Sequence, residues 1–248
     1  GLEGSIWAVA AGADRLHAIA VANGGRIVGT DDGGQVWTER KSGTDRTLRS
    51  VGLAREGRFG WAVGEDGTIL RTEDGGTNWW IQDSGMGRTL TGVAVSPDGK
   101  IGWAVGLAGA VLRTENGGTT WARQVSGTDK DLAAVAMAVD GLLGWAVGAD
   151  GTLLHTPNGG RKWATMTSAT GHELRAVVAS SDGQRVLAVG GKGTTLLYAM
   201  PDFAFLTSDT LDAAGVEGAI AALKPPSGVN AGALDQARTN AILRIDAG

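Results

Sequence analysis

Residues 60–79 read GWAVGEDGTILRTEDGGTNW, and the phrase returns at 102–121 as GWAVGLAGAVLRTENGGTTW and at 144–163 as GWAVGADGTLLHTPNGGRKW. A fainter copy closes on GTDDGGQVW, so that Trp37, Trp79, Trp121 and Trp163 stand 42 residues apart. A period of this length is that of one four-stranded β-propeller blade stacked on its neighbours. The repeat therefore specifies an all-β architecture before any single residue is given a role.

Outward from that phrase, five copies align without a gap. They begin at Ile6, Leu48, Leu90, Leu132 and Leu174 and end at Trp37, Trp79, Trp121, Trp163 and Phe205. Val9, Val51, Val93, Val135 and Val177 fill one column of the first strand. Trp61, Trp103 and Trp145 share a second-strand column with Ile19 and Leu187. A short turn follows, then a third strand such as TILRT, and the closing tryptophan is expected to open the fourth. Alternating apolar residues between Gly/Asp turns are strand and hairpin signals throughout. Four strands of about 5–6 residues with short connections fill such a repeat.

The turn before each closing tryptophan has a mechanical reason. Asp32, Asp74, Asn116 and Asn158 are placed to bond nearby backbone amides, and the Gly-Gly pair supplies positive φ. The indole is expected to pack against the next sheet. Thr72-x-Asp74-x-Gly76-x-x-Trp79 resembles the Asp-box (BNR) motif, and the whole phrase resembles bacterial propellers similar to photosystem II stability/assembly factors. The resemblance covers residues 6 to about 205. It implies a non-catalytic, protein-binding role in a bacterial assembly, in an extracytoplasmic or membrane-associated setting. It also implies seven blades, two of them upstream of Gly1, whereas five copies are by themselves enough for a five-bladed ring. The boxes read as folding devices rather than catalytic ones.

The propeller is expected over residues 1–206 and a helical extension, or a linker to a further domain, over 207–248. In the fifth copy Met200 stands at the box Asp column and Phe205 at the Trp column. Beyond it, Ser208 or Asp209 can cap a helix over 210–223 that Pro225-Pro226 ends, and 231–245 carries a second helical period.

Composition agrees with a turn-dense fold: the 248 residues include 42 glycines, and nine tryptophans dominate the aromatics. Zero cysteines exclude disulfides and thiolate chemistry. A net charge of −4 gives no general attraction to nucleic acid or anionic membrane, and no apolar run reaches the ~20 residues of a membrane helix. No cofactor motif is present: the glycine runs are hairpin turns, not strand-to-helix junctions. The histidines His17, His155 and His172 fall in different repeat columns, which offers no metal cluster. The sole tyrosine, Tyr198, sits at the end of a third strand, away from converging loops, which argues against sialidase-like nucleophilic chemistry.

Binding candidates lie where the repeat repeats charge or breaks its own rule. Arg46, Arg88, Lys130 and His172 recur every 42 residues in the loops that enter each blade, on the face opposite the boxes. There they suit an anionic partner, an acidic protein surface above all. The competing reading pairs each with Asp45, Asp129 or Glu173 as a solvated couple worth about 0–1 kcal/mol. Arg71 and Arg113, with His155, form a second column toward the box face, and their aliphatic stems equally suit covering apolar surface. Trp7 and Trp80 belong to no tryptophan column and are candidate interface anchors. The sequence thus predicts a non-catalytic propeller that binds another protein, the alternative being a carbohydrate-binding or sialidase-like module.

Overall fold

The structure, a computed structural model, describes residues 5–199 and the backbone of 204–207. Both helices expected in the C-terminal extension, and the Met200 and Phe205 side chains, lie outside the described residues.

Five antiparallel sheets of four strands follow one another, each ordered as in the chain. The first contains β1 (Ile6–Ala11), β2 (Ala18–Ala22), β3 (Ile27–Thr30) and β4 (Thr38–Arg40). In the second are β5 (Leu48–Leu53), β6 (Gly60–Gly64), β7 (Ile69–Thr72) and β8 (Trp80–Gln82). The third holds β9 (Leu90–Val95), β10 (Gly102–Gly106), β11 (Ala110–Thr114) and β12 (Ala122–Arg123). Next come β13 (Leu132–Met137), β14 (Gly144–Gly148), β15 (Leu153–Thr156) and β16 (Ala164–Met166). The last blade has β17 (Leu174–Ala179), β18 (Arg185–Gly190), β19 (Thr195–Ala199) and β20 (Ala204–Thr207).

First strands are innermost: β1 packs along β5, β5 along β9, β9 along β13 and β13 along β17. No comparable packing joins β17 to β1 among the described residues, so the five blades form an arc rather than a closed ring.

The core lies between blades because strand side chains alternate. Within GWAVG, Trp61 and Val63 point forward onto Leu90, Ala104 and Leu112 of the third blade. Ala62 points back, joining Leu70 and Trp79 against Ile19, Val21 and Ile27 of the first. Trp103 and Trp145 lead the next two interfaces in the same way.

The box makes room for these side chains. Gly76, Gly118 and Gly160 have φ of +86°, +87° and +82°. A Cβ on Gly118 would come within 2.7 Å of Trp61 Nε1, and one on Gly160 within 3.2 Å of Trp103 Nε1. Glycine is required there twice over, by handedness and by space. The box tryptophan then meets the same partner edge-on, at 5.5 Å between centroids for both Trp61–Trp121 and Trp103–Trp163. The closing indole therefore packs on the preceding blade, not on the following one as expected. It also stands just before its fourth strand, which begins at Thr38, Trp80, Ala122 or Ala164, because its backbone still belongs to the turn.

Blade 1 carries the same rear face without a blade behind it. Ile6 is 53% exposed where Leu48, Leu90 and Leu174 are 0%, and Trp37 is 42% exposed where Trp79 is 8% and Trp163 5%. We expect Trp79→Ala or Trp163→Ala to cost about 3–5 kcal/mol, the usual range for a buried Trp, and Trp37→Ala less than about half of that. Urea denaturation checks the contrast, and equal losses at all three positions would contradict it.

Candidate protein-binding face

Two kinds of loop meet on the face opposite the boxes: the links that enter each blade, and the turns between its second and third strands. Each of those turns is a short 3-10 segment whose middle residue is left-handed: Gly24, Asp66, Ala108, Asp150 and Lys192. Its backbone is bonded to the entering link, as in Glu65 N–H to Thr47 O and Ala149 N–H to Asp131 O, at 3.0 and 2.8 Å. The hydroxyls of Ser42, Ser84, Ser126 and Ser168 donate to a carbonyl two residues on, at 3.1 Å each. The face is thus a rigid scaffold that presents two variable columns side by side.

Those columns are Arg46, Arg88, Lys130, His172 and, 20 residues further along the chain, Asp66, Ala108, Asp150, Lys192. Arg46 bonds Asp66 at 3.0 Å and lies 3.7 Å from Asp45. Lys130 bonds Asp150 at 2.7 Å, and that carboxylate, with Asp129 adding less, raises the ammonium's pKa. Among the described residues Arg88 donates to the Ala108 carbonyl, at 3.3 Å, and pairs with no carboxylate. His172 and Lys192 hold the corresponding positions in blade 5, and no carboxylate among the described residues pairs with either. Glu173, expected to answer His172, is engaged by Arg175 instead. The charge of the face is therefore uneven: answered at blades 2 and 4, unanswered at blades 3 and 5. The signal for this was the variable residue in EDG, LAG, ADG and GKG, legible only once the turn was known to sit beside the cation.

The second candidate column lies elsewhere. Arg71 is cross-strand from Trp61, and Arg113 from Trp103. A Cβ on Gly117 would lie 3.0 Å from Arg71 Nη2, and one on Gly159 2.9 Å from Arg113 Nη2, so each guanidinium sits under the next blade's box. Arg71 pairs with Glu73 at 2.8 Å and Arg113 with Glu115, and the Arg113 side chain is only 11% exposed. In blade 1, Gly29 vacates this place; Arg40 reaches in from β4 and bonds Asp31 at 2.5 Å. These arginines are wedged between blades.

Box geometry depends on a residue whose bonding was not assigned from sequence. The buried hydroxyls of Thr30, Thr72, Thr114 and Thr156 donate to the Asp or Asn two residues on. They also accept the amide of the second box glycine, at 2.8–3.0 Å. The Asp or Asn oxygen takes a further amide four residues ahead, at 2.9–3.0 Å. The Val36 amide, aided by Thr30, holds the Asp32 carboxyl below its usual pKa. Burial acts to raise that of Asp74, but the Asn78 amide and side chain outweigh it.

Trp7 and Trp80 are 42% and 49% exposed. Trp7 lies on the innermost strand, with Arg49 Cζ 4.2 Å from its ring centroid, whereas Trp80 opens the outermost strand of blade 2. Tyr198 is buried at 3% exposure against Trp145, and burial raises its phenol pKa, the opposite of what a nucleophile needs. His17 lies beside Asp14, at 2.5 Å, and 3.9 Å from Asp31. Among the described residues no group of three or more His, Asp or Glu side chains is placed to hold a metal.

Known proteins place this geometry. Residues 81–172 match the family described as photosynthesis system II assembly factor YCF48. Among solved structures, YCF48 bound to a D1 peptide is similar at 23% identity and a TM-score of 0.60, over 78% of this chain and 63% of that one. An ancestral GH74 enzyme is similar at 13% identity and a TM-score of 0.68, over 84% of this chain and 31% of that one. No curated sequence matches the chain significantly. The protein is a BNR-type propeller resembling the photosystem II assembly factors, and it spans less than two thirds of either solved relative.

His155 stands in the Arg71 column, stacked on Trp145 at 4.2 Å with its Nε2 buried and unpartnered. Burial lowers its pKa from 6.5, so the unfolded chain takes up the proton first. This contribution to stability is complete above about pH 6.5 and is lost as pH falls toward the lower, folded value. Thermal melts of His155→Leu, the residue blade 5 carries as Leu197, are expected to lose that slope between neutral and mildly acidic pH.

Proposed function

We propose that this propeller is a non-catalytic accessory domain of a bacterial assembly, binding an acidic surface of another protein through the face opposite its boxes. One observation carries the reading. On a chain of net charge −4, that face keeps Arg88, His172 and Lys192 without a carboxylate partner among the described residues. The field of cations left without a carboxylate partner attracts a negative group selectively and steers its approach.

Arg46 and Lys130 extend the field but spend part of it on Asp66 and Asp150. Arg71 and Arg113 act in this reading as supports for the neighbouring box turns. The solved YCF48 relative holds a D1 peptide, which supports a protein segment as the ligand class. The GH74 relative keeps the glycan-recognising alternative in the test.

Blade 3 offers a way to switch the field off without removing a cation. Ala108→Asp would recreate beside Arg88 the arrangement of Arg46 and Asp66, and Asp already tolerates the left-handed position at Asp66 and Asp150. We expect it to weaken binding of a fluorescent poly-glutamate peptide about three- to tenfold, with Ala108→Asn close to wild type. Adding Lys192→Asp should weaken it further. Anisotropy titrations at low salt measure this, and unchanged affinity in both aspartate variants would remove the cationic face from the reading. Binding on a glycan array, or sugar turnover by the wild-type chain, would favour the alternative.

A further inference from the structure

Every innermost strand carries a β-bulge, always at the same column. Register shifts by one residue between Ile6 and Ala8, Leu48 and Ser50, Leu132 and Ala134, and Leu174 and Ala176, and on β9 between Leu90 and Gly92. The extra residues are Trp7, Arg49, Thr91, Ala133 and Arg175. Bulges of this kind re-aim a side chain out of the ladder. Two contacts show that the column runs sideways from blade to blade along the innermost strands. The Arg49 guanidinium covers the Trp7 ring at 4.2 Å, and Thr91 Oγ1 donates to Leu132 O of the next blade at 2.5 Å.

The backbone device is constant and its side chain is not. The residue before the bulge is Ile or Leu and the residue two after it is Val in all copies, whereas this column reads Trp, Arg, Thr, Ala, Arg. Packing demand cannot account for such variety at a position that leaves the ladder. Trp7 is the one large apolar member, and it is held in place. Its Nε1 donates to Asn23 Oδ1 at 2.5 Å, and the arginine that covers it is itself fixed by Glu65 at 2.9 Å. The indole nevertheless stays 42% exposed. A pre-positioned aromatic beside an arginine loses little conformational entropy when a partner arrives.

We propose that Trp7, braced by Arg49 and Asn23, is the apolar anchor of the partner-binding face. An extended acidic segment sets one aromatic or large aliphatic side chain against the indole, while its carboxylates lie toward Arg88 and the His172–Lys192 corner. This rests on the acidic-partner reading and adds that a purely acidic ligand is incomplete. Charge complementarity sets the segment's carboxylates, and the exposed indole sets its apolar residue.

Two labelled acidic peptides, identical except for one Phe replaced by Ala, separate the two ideas when titrated into the full chain. The wild type should prefer the Phe peptide by roughly tenfold, the scale of one interface anchor. Trp7→Thr, carrying the residue that blade 3 holds at its own bulge, should erase the preference while leaving Ala-peptide affinity unchanged. Trp80→Ala should leave both affinities as they were. Equal binding of the two peptides by the wild type, or a preference that survives in Trp7→Thr or disappears in Trp80→Ala, overturns the anchor while the acidic reading stands. If neither peptide binds, both fall.

Discussion

An indole from the second strand of one blade slides beneath a left-handed glycine in the next blade's box, and most of the structure depends on that fit. Trp61 meets Gly118 and Trp103 meets Gly160 in this way; Ile19 does the same under Gly76 with a smaller side chain. The turn is held open by the threonine–Asx pair, so that its backbone amides are bonded internally and a large apolar ring can lie against it without stranding them. Turn chemistry and core packing are one device here.

A sheet of this kind has two faces with different duties, and neither is buried by its own blade. Trp61 and Val63 belong to one interface, Ala62 and Leu70 to another. Stability is therefore nearest-neighbour in character, as in other repeat arrays. The first blade makes this visible. Its Ile6, Val9 and Trp37 occupy columns that are buried or nearly so in later blades, yet they are exposed because nothing among the described residues lies behind them. Burial at these columns is a property of a pair of blades.

The functional face obeys a similar logic of neighbours. The residue that decides whether a cation is answered is the left-handed one in the adjacent turn, and that position accepts Asp, Ala, Lys or Gly without disturbing the frame. Asp and Gly suit the left-handed region readily, whereas Ala108 and Lys192 sit there at some cost in backbone energy. The two costlier residues are the two that leave the field of the face open. Surface chemistry thus varies on a scaffold whose geometry is kept by the serine and backbone bonds beneath it.

The four-stranded repeat, its strand order, the turn glycines and the Asp/Asn columns of the turns were legible in the sequence alone, because a period of 42 repeats one local solution and each copy confirms the others. The cationic columns could be read in the same way, as could the absence of thiol chemistry. Direction could not. That Trp79 leans back onto Ile19 rather than forward, and that Arg71 lies under Gly117 rather than on an open surface, depends on how successive sheets rotate against each other. Nor could the sequence tell that Asp66 and Asp150 answer Arg46 and Lys130 while Ala108 leaves Arg88 without a counterpart there, since those positions lie 20 residues away across a turn. A repeat specifies what each blade is from residues close in the chain, but the charge and exposure of a face come from groups that only packing brings together.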